Sequence, residues 1–144
     1  MVKKILVLAI IVAAMGAGVF YYLTNEKFED SKTVEADFSV DAKTFMQEYQ
    51  TDFTKANEKY SDKMLAVKGE PSSVEVMDSL INVQFADSIS NTYCVFSIAN
   101  DKTNPPPQKG QAVTLKGNCS GAIKSEILGS TAITFKRAVI LENK

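Results

Sequence analysis

The chain has 144 residues, a formal net charge of −1 and no histidine. This length fits one ordinary domain with a tail, and the balanced charge gives no global signature of binding to nucleic acid or to an anionic membrane. The lack of histidine excludes His-based catalysis and every histidine metal site. The two cysteines, Cys94 and Cys119, are too far apart for a CxxC motif, which excludes thioredoxin-like redox chemistry and the common cysteine zinc sites.

Residues 1–23 predict a membrane anchor or a signal sequence. Lys3 and Lys4 precede nineteen uncharged residues, 5–23, which as a helix would span about 28 Å, close to the thickness of the bilayer hydrocarbon. Lysines on the short N-terminal side place that side in the cytoplasm. We therefore expect residues 5–23 to cross the lipid bilayer as a single transmembrane helix. Small residues such as Ala13 and Ala17 leave cleavage of a signal peptide as the alternative.

Residues 24–39 are polar and acidic and predict a linker that lifts the domain off the membrane. The folded domain is then expected at 40–144. Residues 24–62 contain 5 Lys and 10 acidic residues, a balance of −5. The linker and the segment after it therefore repel polyanions rather than attract them.

One amphipathic helix is predicted over 41–60. Apolar side chains recur there every three or four positions and include Phe45, Tyr49 and Phe53. Asp41 is a good N-cap because its carboxylate can accept hydrogen bonds from the free backbone N–H groups of the first turn. An apolar stripe of this kind could bind a partner, but it usually packs on the protein's own sheet, and we expect that arrangement.

Period-2 alternation of apolar residues predicts five strands, at about 63–77, 80–86, 92–98, within 109–121, and at 133–141. The first strand is interrupted at Gly69 and Pro71, and a bulge near 136–138 is expected to keep Arg137 out of the core. Two strands that contain a Lys-Gly step suggest strong bending. Five bent strands predict a small closed barrel, with the helix plugging one open end.

Four stretches of the chain resemble a known family. They read A-x-E-K-Y at 56–60, V-K-G at 67–69, Y-C-V-F at 93–96 and K-G-Q-x-V-T-L-K-G-x-C-x-G at 109–121. Together they resemble the tRNA-anticodon-binding-like OB-fold family of small exported bacterial proteins, over about residues 41–141. The resemblance implies a mainly β fold, a five-stranded OB barrel preceded by one amphipathic helix, in addition to the N-terminal transmembrane helix. It carries no established function with it.

The OB resemblance also implies where a ligand would bind. Ligands of OB folds lie on the second and third strands, between the loops that join strands 1–2 and 4–5. The outward residues there include Asn82, Gln84 and Tyr93, and Lys116 and Lys124 are basic neighbours, as is Lys136. We predict a ligand-binding site from the first five. A solvated sheet face with scattered lysines is the alternative.

Cys94 and Cys119 share the inward phase of their predicted strands. An exported protein can be oxidised, so we predict a structural disulfide between the third and fourth strands. Two buried free thiols, which pack as small hydrophobic side chains, are the alternative.

No nucleophile motif, paired-acid motif, phosphate-binding loop or metal-ligand spacing is present. We therefore expect no enzymatic activity, no cofactor and no metal. The expected function is a membrane-tethered binding or scaffold module of the bacterial cell envelope, with an envelope protein or a small ligand as partner. Its C-terminal domain lies outside the cytoplasm, in the periplasm if the cell is Gram-negative, or is secreted there after signal cleavage. The alternative is single-stranded nucleic-acid binding, by fold analogy.

Overall fold

The computed structural model describes residues 31, 33–102 and 105–143. They form a mainly β fold with two helices and seven strands. The elements are β1 (Phe38–Asp41), α1 (Ala42–Thr51), α2 (Phe53–Tyr60), β2 (Met64–Gly69), β3 (Ser73–Val76), β4 (Leu80–Asp87), β5 (Thr92–Ala99), β6 (Val113–Ser125) and β7 (Ser130–Asn143). The predicted transmembrane segment, 1–23, lies outside these residues. Within them, no helix has the length and apolar character needed to cross a membrane.

The single predicted helix is wrong, because the helix is broken at Asp52. The backbone of Asp52 is extended, with φ −151° and ψ 92°, and its N–H still donates to the Glu48 carbonyl. Its carboxylate then accepts from the Lys55 N–H at 3.1 Å, which caps the next helix. Asp52 thus ends α1 and begins α2. The predicted cap at Asp41 is confirmed, since its side chain accepts from the N–H groups of Lys43 and Thr44.

All seven strands belong to one sheet, in the order β1-β2-β6-β7-β5-β4-β3. β1 pairs with β2 in parallel, as does β5 with β7, and the other pairs are antiparallel. The sheet is open and has seven strands, so the prediction of a closed barrel of five strands is wrong in both respects. Part of the difference is β1, which begins at Phe38, within the last two residues of the predicted linker.

The other added strand comes from the predicted interruption at Gly69 and Pro71. β2 and β3 follow each other in the chain with only residues 70–72 between them, yet they lie near opposite ends of the strand order. Since the four steps from Gly69 to Ser73 reach at most about 14 Å, the sheet must curl so that these two strands come close. Pro71, in the connection, has no N–H to donate to a neighbouring strand, and its carbonyl accepts from the Gly110 N–H at 2.9 Å.

The core lies between the concave face of the sheet and the two helices. The Phe96 and Phe135 rings stack with centroids 4.0 Å apart, and Phe45 of α1 reaches Phe135 at 5.8 Å. Tyr60 of α2 closes the cluster, with its ring 5.0 Å from that of Phe45. The apolar stripe of the helical region therefore packs on the protein's own sheet, as its periodicity predicts.

Candidate ligand-binding face

The outer, convex surface of β4, β5 and β7 is the candidate site, and we call it the polar face. Alternation produces it: the inward residues of β4 and β5 are buried, whereas the outward ones are half-buried or exposed. The half-buried members are Asn82, Gln84, Tyr93, Val95 and Ser97. Thr134 of β7 extends the row, since it pairs with Val95. Three of the five predicted ligand-binding residues, Asn82, Gln84 and Tyr93, thus lie on one surface.

Asn82 and Ser97 form the most ordered part of this surface. They are cross-strand partners, and the Ser97 hydroxyl donates to Asn82 Oδ1 at 3.0 Å. This bond fixes the amide so that its nitrogen is directed away from Ser97. Because that nitrogen has no acceptor among the described residues, it is available to donate to a ligand oxygen.

Tyr93 is the single aromatic residue of the polar face, and its neighbours are small. Its cross-strand partners are Ala86 on β4 and Ala132 on β7. None of the ring–ring contacts among the described residues includes it. A half-buried ring flanked by methyl groups is fixed at its base and open at its side, which suits stacking against a planar or apolar ligand group.

A basic bulge borders the polar face on β7. The register moves from Phe96 opposite Phe135 to Ile98 opposite Ala138, so Lys136 and Arg137 together oppose Ser97. Arg137 has a left-handed backbone, with φ 53°, and both side chains are exposed. The predicted bulge is confirmed, and it keeps Arg137 out of the core. Arg137 and its groove were missed as site residues, although the slip in alternation at this point was the signal.

The bulge opens into a polar groove of about 300 Å³ lined by Asp62, Asn118, Ser120, Lys136 and Arg137. Two cations and one carboxylate leave it with a net positive charge. The amide of Asn118 lies across the strand pair from Lys136, so neutral donors stand beside the charged ones. Such a mixture can hold an anionic group or an array of hydroxyl and carbonyl oxygens.

The two predicted lysines are placed apart from the polar face. Lys116 is buried, with 5% of its surface exposed, and its Nζ donates to the Val34 carbonyl at 2.7 Å. It holds the N-terminal segment against β6 instead of facing solvent. Lys124 is exposed but lies near the β6–β7 turn, opposite Thr131. Alternation could not predict either position, since Val34, which covers Lys116, is 82 positions away, and the register of β6 shifts between Cys119 and Ala122, before Lys124 is reached.

In place of the predicted disulfide, the structure has two free, buried thiols. Cys94 pairs with Ile133 and Cys119 with Phe135, so β7 lies between the two cysteine strands. Two strand spacings separate them by about 10 Å, whereas a disulfide needs Cα atoms within about 7 Å. Burial raises the pKa of both thiols, and Tyr49 Oη lies 4.0 Å from Cys119 Sγ. The pair therefore belongs to the core.

The part of the chain that the structure describes contains no group of three or more His, Cys, Asp or Glu side chains that could hold a metal ion. The polar face and its groove contain hydrogen-bonding groups, one aromatic ring, two cations and one carboxylate. This composition suits reversible binding.

Comparison with known proteins places these features in a family. The family model described as tRNA_anti-like matches residues 1–131, and no curated protein matches the chain. Among solved structures, a "putative nucleic acid-binding lipoprotein" from Klebsiella pneumoniae is similar with a TM-score of 0.51 and 16% identity, over 72% of this chain and 91% of that one. This likeness is one of fold, and with the family match it confirms the predicted OB-like resemblance.

Two aspartyl-tRNA synthetases are also similar, over a small part of their own length. A "putative aspartyl-tRNA synthetase" from Leishmania major has a TM-score of 0.46 and 9% identity, over 92% of this chain and 26% of that one. The Entamoeba histolytica aspartyl-tRNA synthetase has a TM-score of 0.40 and 8% identity, over 78% of this chain and 26% of that one.

Proposed function

We propose that this chain, which belongs to the tRNA_anti-like family, is a non-enzymatic binding module tethered to the membrane of the bacterial cell envelope. The polar face is the observation that carries the proposal, because its fixed amide, open tyrosine ring and cationic groove lie on one surface of an OB-like sheet. Residues 5–23 would hold the module on the cytoplasmic membrane, with its domain outside the cytoplasm. That placement rests on the pattern of lysines and uncharged residues at the N-terminus.

The proposed ligand lies across β4, β5 and β7. Tyr93 would contact a planar or apolar group, Asn82 would donate to an oxygen, and Arg137 would contact a negatively charged or strongly polar group. The three contacts differ in kind, so a ligand that satisfies all of them must be extended and chemically mixed. A segment of an envelope protein has this character.

Photocrosslinking in cells tests whether the polar face has a partner. A photoreactive amino acid replaces Gln84, and a matched variant carries it at Thr54, an exposed residue of α2. Crosslinked product at position 84 and none at position 54 is the expected result. Equal products at both positions would contradict a specific surface.

An alkaline carbonate wash tests the tether. The full chain should stay with the membrane after the wash, and the chain without residues 1–24 should be released.

A second candidate is single-stranded nucleic acid, and the basic bulge favours it. Proteins that bind single strands combine an aromatic platform with cations that follow the phosphates. Tyr93 and Arg137 provide one of each on the same face. The similar Klebsiella protein is also described as nucleic acid-binding. The balance of −5 over residues 24–62 opposes this candidate.

A fluorescent single-stranded oligonucleotide separates the two candidates. For a nucleic-acid ligand, the full chain in detergent should bind at micromolar concentration at low salt and lose affinity steeply as salt rises. Tyr93→Ala should weaken binding about tenfold, since one stacked base contributes about 1–3 kcal/mol. Arg137→Ala should also weaken binding, because it removes a cation from this face. The matched control Lys109→Ala, which removes an exposed lysine off the polar face, should weaken it less. No binding at low salt would remove this candidate and leave the protein-segment ligand.

A further inference from the structure

Two turns at one end of the sheet present large apolar side chains to solvent. Ile89, in the β4–β5 turn, is 98% exposed, and Ile127 and Leu128, in the β6–β7 turn, are 97% and 72% exposed. We call these three residues the apolar tips. Burying a large aliphatic side chain is favourable by about 1.5–3 kcal/mol. Three of them side by side therefore form a surface that gains by leaving water.

The two turns are fastened together, so the apolar tips act as one surface. Asn91, in the first turn, donates from Nδ2 to the Leu128 and Gly129 carbonyls at 3.2 and 3.4 Å. Its own carbonyl accepts from the Thr131 N–H at 3.2 Å. Asn91 adopts a left-handed backbone, with φ 53°, to make these contacts. Asn91 thus joins the two turns through three hydrogen bonds, so Ile89 and Leu128 belong to one surface.

β1 begins at the same end of the sheet as the apolar tips. β1 is parallel to β2 and begins with Phe38 opposite Leu65. β2 in turn begins opposite Asn118, on the side of β6 that leads to the β6–β7 turn. The first residue of β1, Phe38, therefore lies at the end of its strand that is nearer to the apolar tips. The polar loop after β5 and the β3–β4 turn lie at the other end.

The length of chain before Val34 matches the distance to the apolar tips. Val34 is held over β6 by Lys116, and from Lys116 to Ser125 the strand extends at most about 30 Å, because its pairing is irregular along this part. Residues 24–33 can reach at most about 34 Å. If residues 5–23 cross the bilayer, the apolar tips can therefore touch its surface. The tether also keeps them near it, at an effective concentration on the order of millimolar.

We propose that the apolar tips dock on the surface of the lipid bilayer, with Ile89, Ile127 and Leu128 entering the headgroup–acyl boundary. The proposal rests on the membrane tether proposed above. A bilayer fits better than a protein because the charges beside the two turns give little pattern to select a partner: Lys124 and Glu126 cancel, and the Asp87 carboxylate accepts from the Ile89 N–H and the Ser90 hydroxyl of its own turn. Docking by apolar contact alone should be insensitive to salt and should occur on zwitterionic lipid.

Environment-sensitive fluorescence on the full chain in vesicles tests the docking. A single cysteine replaces Ile127, or Met77 in the β3–β4 turn at the opposite end, and is labelled with nitrobenzoxadiazole. Met77 is a matched control because it is also an exposed apolar residue, 47% exposed. The native thiols are buried, and the unsubstituted chain gives their background. In phosphatidylcholine vesicles, the probe at 127 should shift to the blue and be quenched by brominated acyl chains, whereas the probe at 77 should show neither effect.

Further variants and flotation separate docking from tethering. Ile89→Ser should return the probe at 127 to water if the two turns dock together, whereas Val76→Ser should not. A chain that floats with the vesicles while its probe at 127 stays in water would overturn the docking and leave the tether intact. A chain absent from the floated vesicles would overturn both. A probe shielded in native membranes but not in lipid vesicles would overturn the bilayer as occupant and indicate a protein instead.

Discussion

Gly69→Ala should destabilise the domain by crowding the point where α1 meets the corner of the sheet. A Cβ added at Gly69 would lie 2.7 Å from the Cβ of Ala42 and 3.2 Å from the Phe85 ring. Neither neighbour is the flexible end of a side chain, because the Cβ of Ala42 is attached directly to the backbone of α1 and Phe85 is buried. Overpacking of this kind costs about 1–3 kcal/mol. For a domain of this size, the melting temperature should fall by about 5–15 °C.

A double-mutant cycle shows whether this contact is the cause. Urea unfolding of residues 25–144, followed by circular dichroism, gives the free energy of unfolding for Gly69→Ala, Ala42→Gly and both together. Ala42→Gly removes the nearest atom, so the double variant should be more stable than the sum of the single effects by about 1 kcal/mol. Gly110→Ala is the control: it has φ 75° and no atom within 4 Å, so its cost is backbone strain and should not couple to Ala42. Additive effects at Gly69 and Ala42 would refute the steric reasoning.

Three other perturbations test the remaining features of the fold. Asp52→Ala should lower the free energy of unfolding by about 1 kcal/mol, whereas Asp52→Asn should cost little, because the side-chain oxygen caps α2; equal losses in urea unfolding would exclude the cap as the cause. Cys94 and Cys119 should stay unlabelled in the native chain and give two thiols after unfolding without reductant. Because burial raises the pKa of both thiols in the folded chain, the thiols of the unfolded chain lose their protons first, above about pH 8.5. Each thiol should therefore lower the free energy of unfolding by up to about 1.4 kcal/mol per pH unit in that range. A free energy of unfolding that stays constant between pH 8 and 10 would contradict this. Lys116→Met should free the segment at Val34 and speed its amide hydrogen exchange without changing that of β4; unchanged exchange there would show that the 2.7 Å bond does not hold the segment.

Local patterns predicted the elements of this fold better than their number and arrangement. Alternation located β4 and β5 because each has one buried face and one more exposed face. It located only the first part of β6, which extends to Ser125 and in which the outward Lys116 is also buried. Periodicity also explains why the break at Asp52 was missed, since the apolar stripe continues across it with helical spacing. Periodicity records which side of an element is buried, and that side does not change at a cap.

The features that were missed depend on contacts between distant residues. The inward phase of Cys94 and Cys119 was correct, but their separation depends on β7 lying between their strands, which alternation within each strand does not contain. β1 is short and pairs with β2 in parallel, so it forms only once β2 is in place. Lys116 faces outward as expected, yet Val34 covers it. Strand order and coverage therefore decide which outward residues remain available to a ligand.

The polar face and the apolar tips can act at the same time because they occupy different heights on the same strands. Tyr93 is two residues from Asn91 in the β4–β5 turn, so it lies about 7 Å above the turn, and Ser97 lies about 13 Å further along β5. If the tips rest on the bilayer, a ligand on the polar face would be held about 10–20 Å from the lipid. Arg137, opposite Ser97, would stand at the far side of that interval. A ligand bound there remains accessible from the envelope, so docking would orient the polar face without covering it.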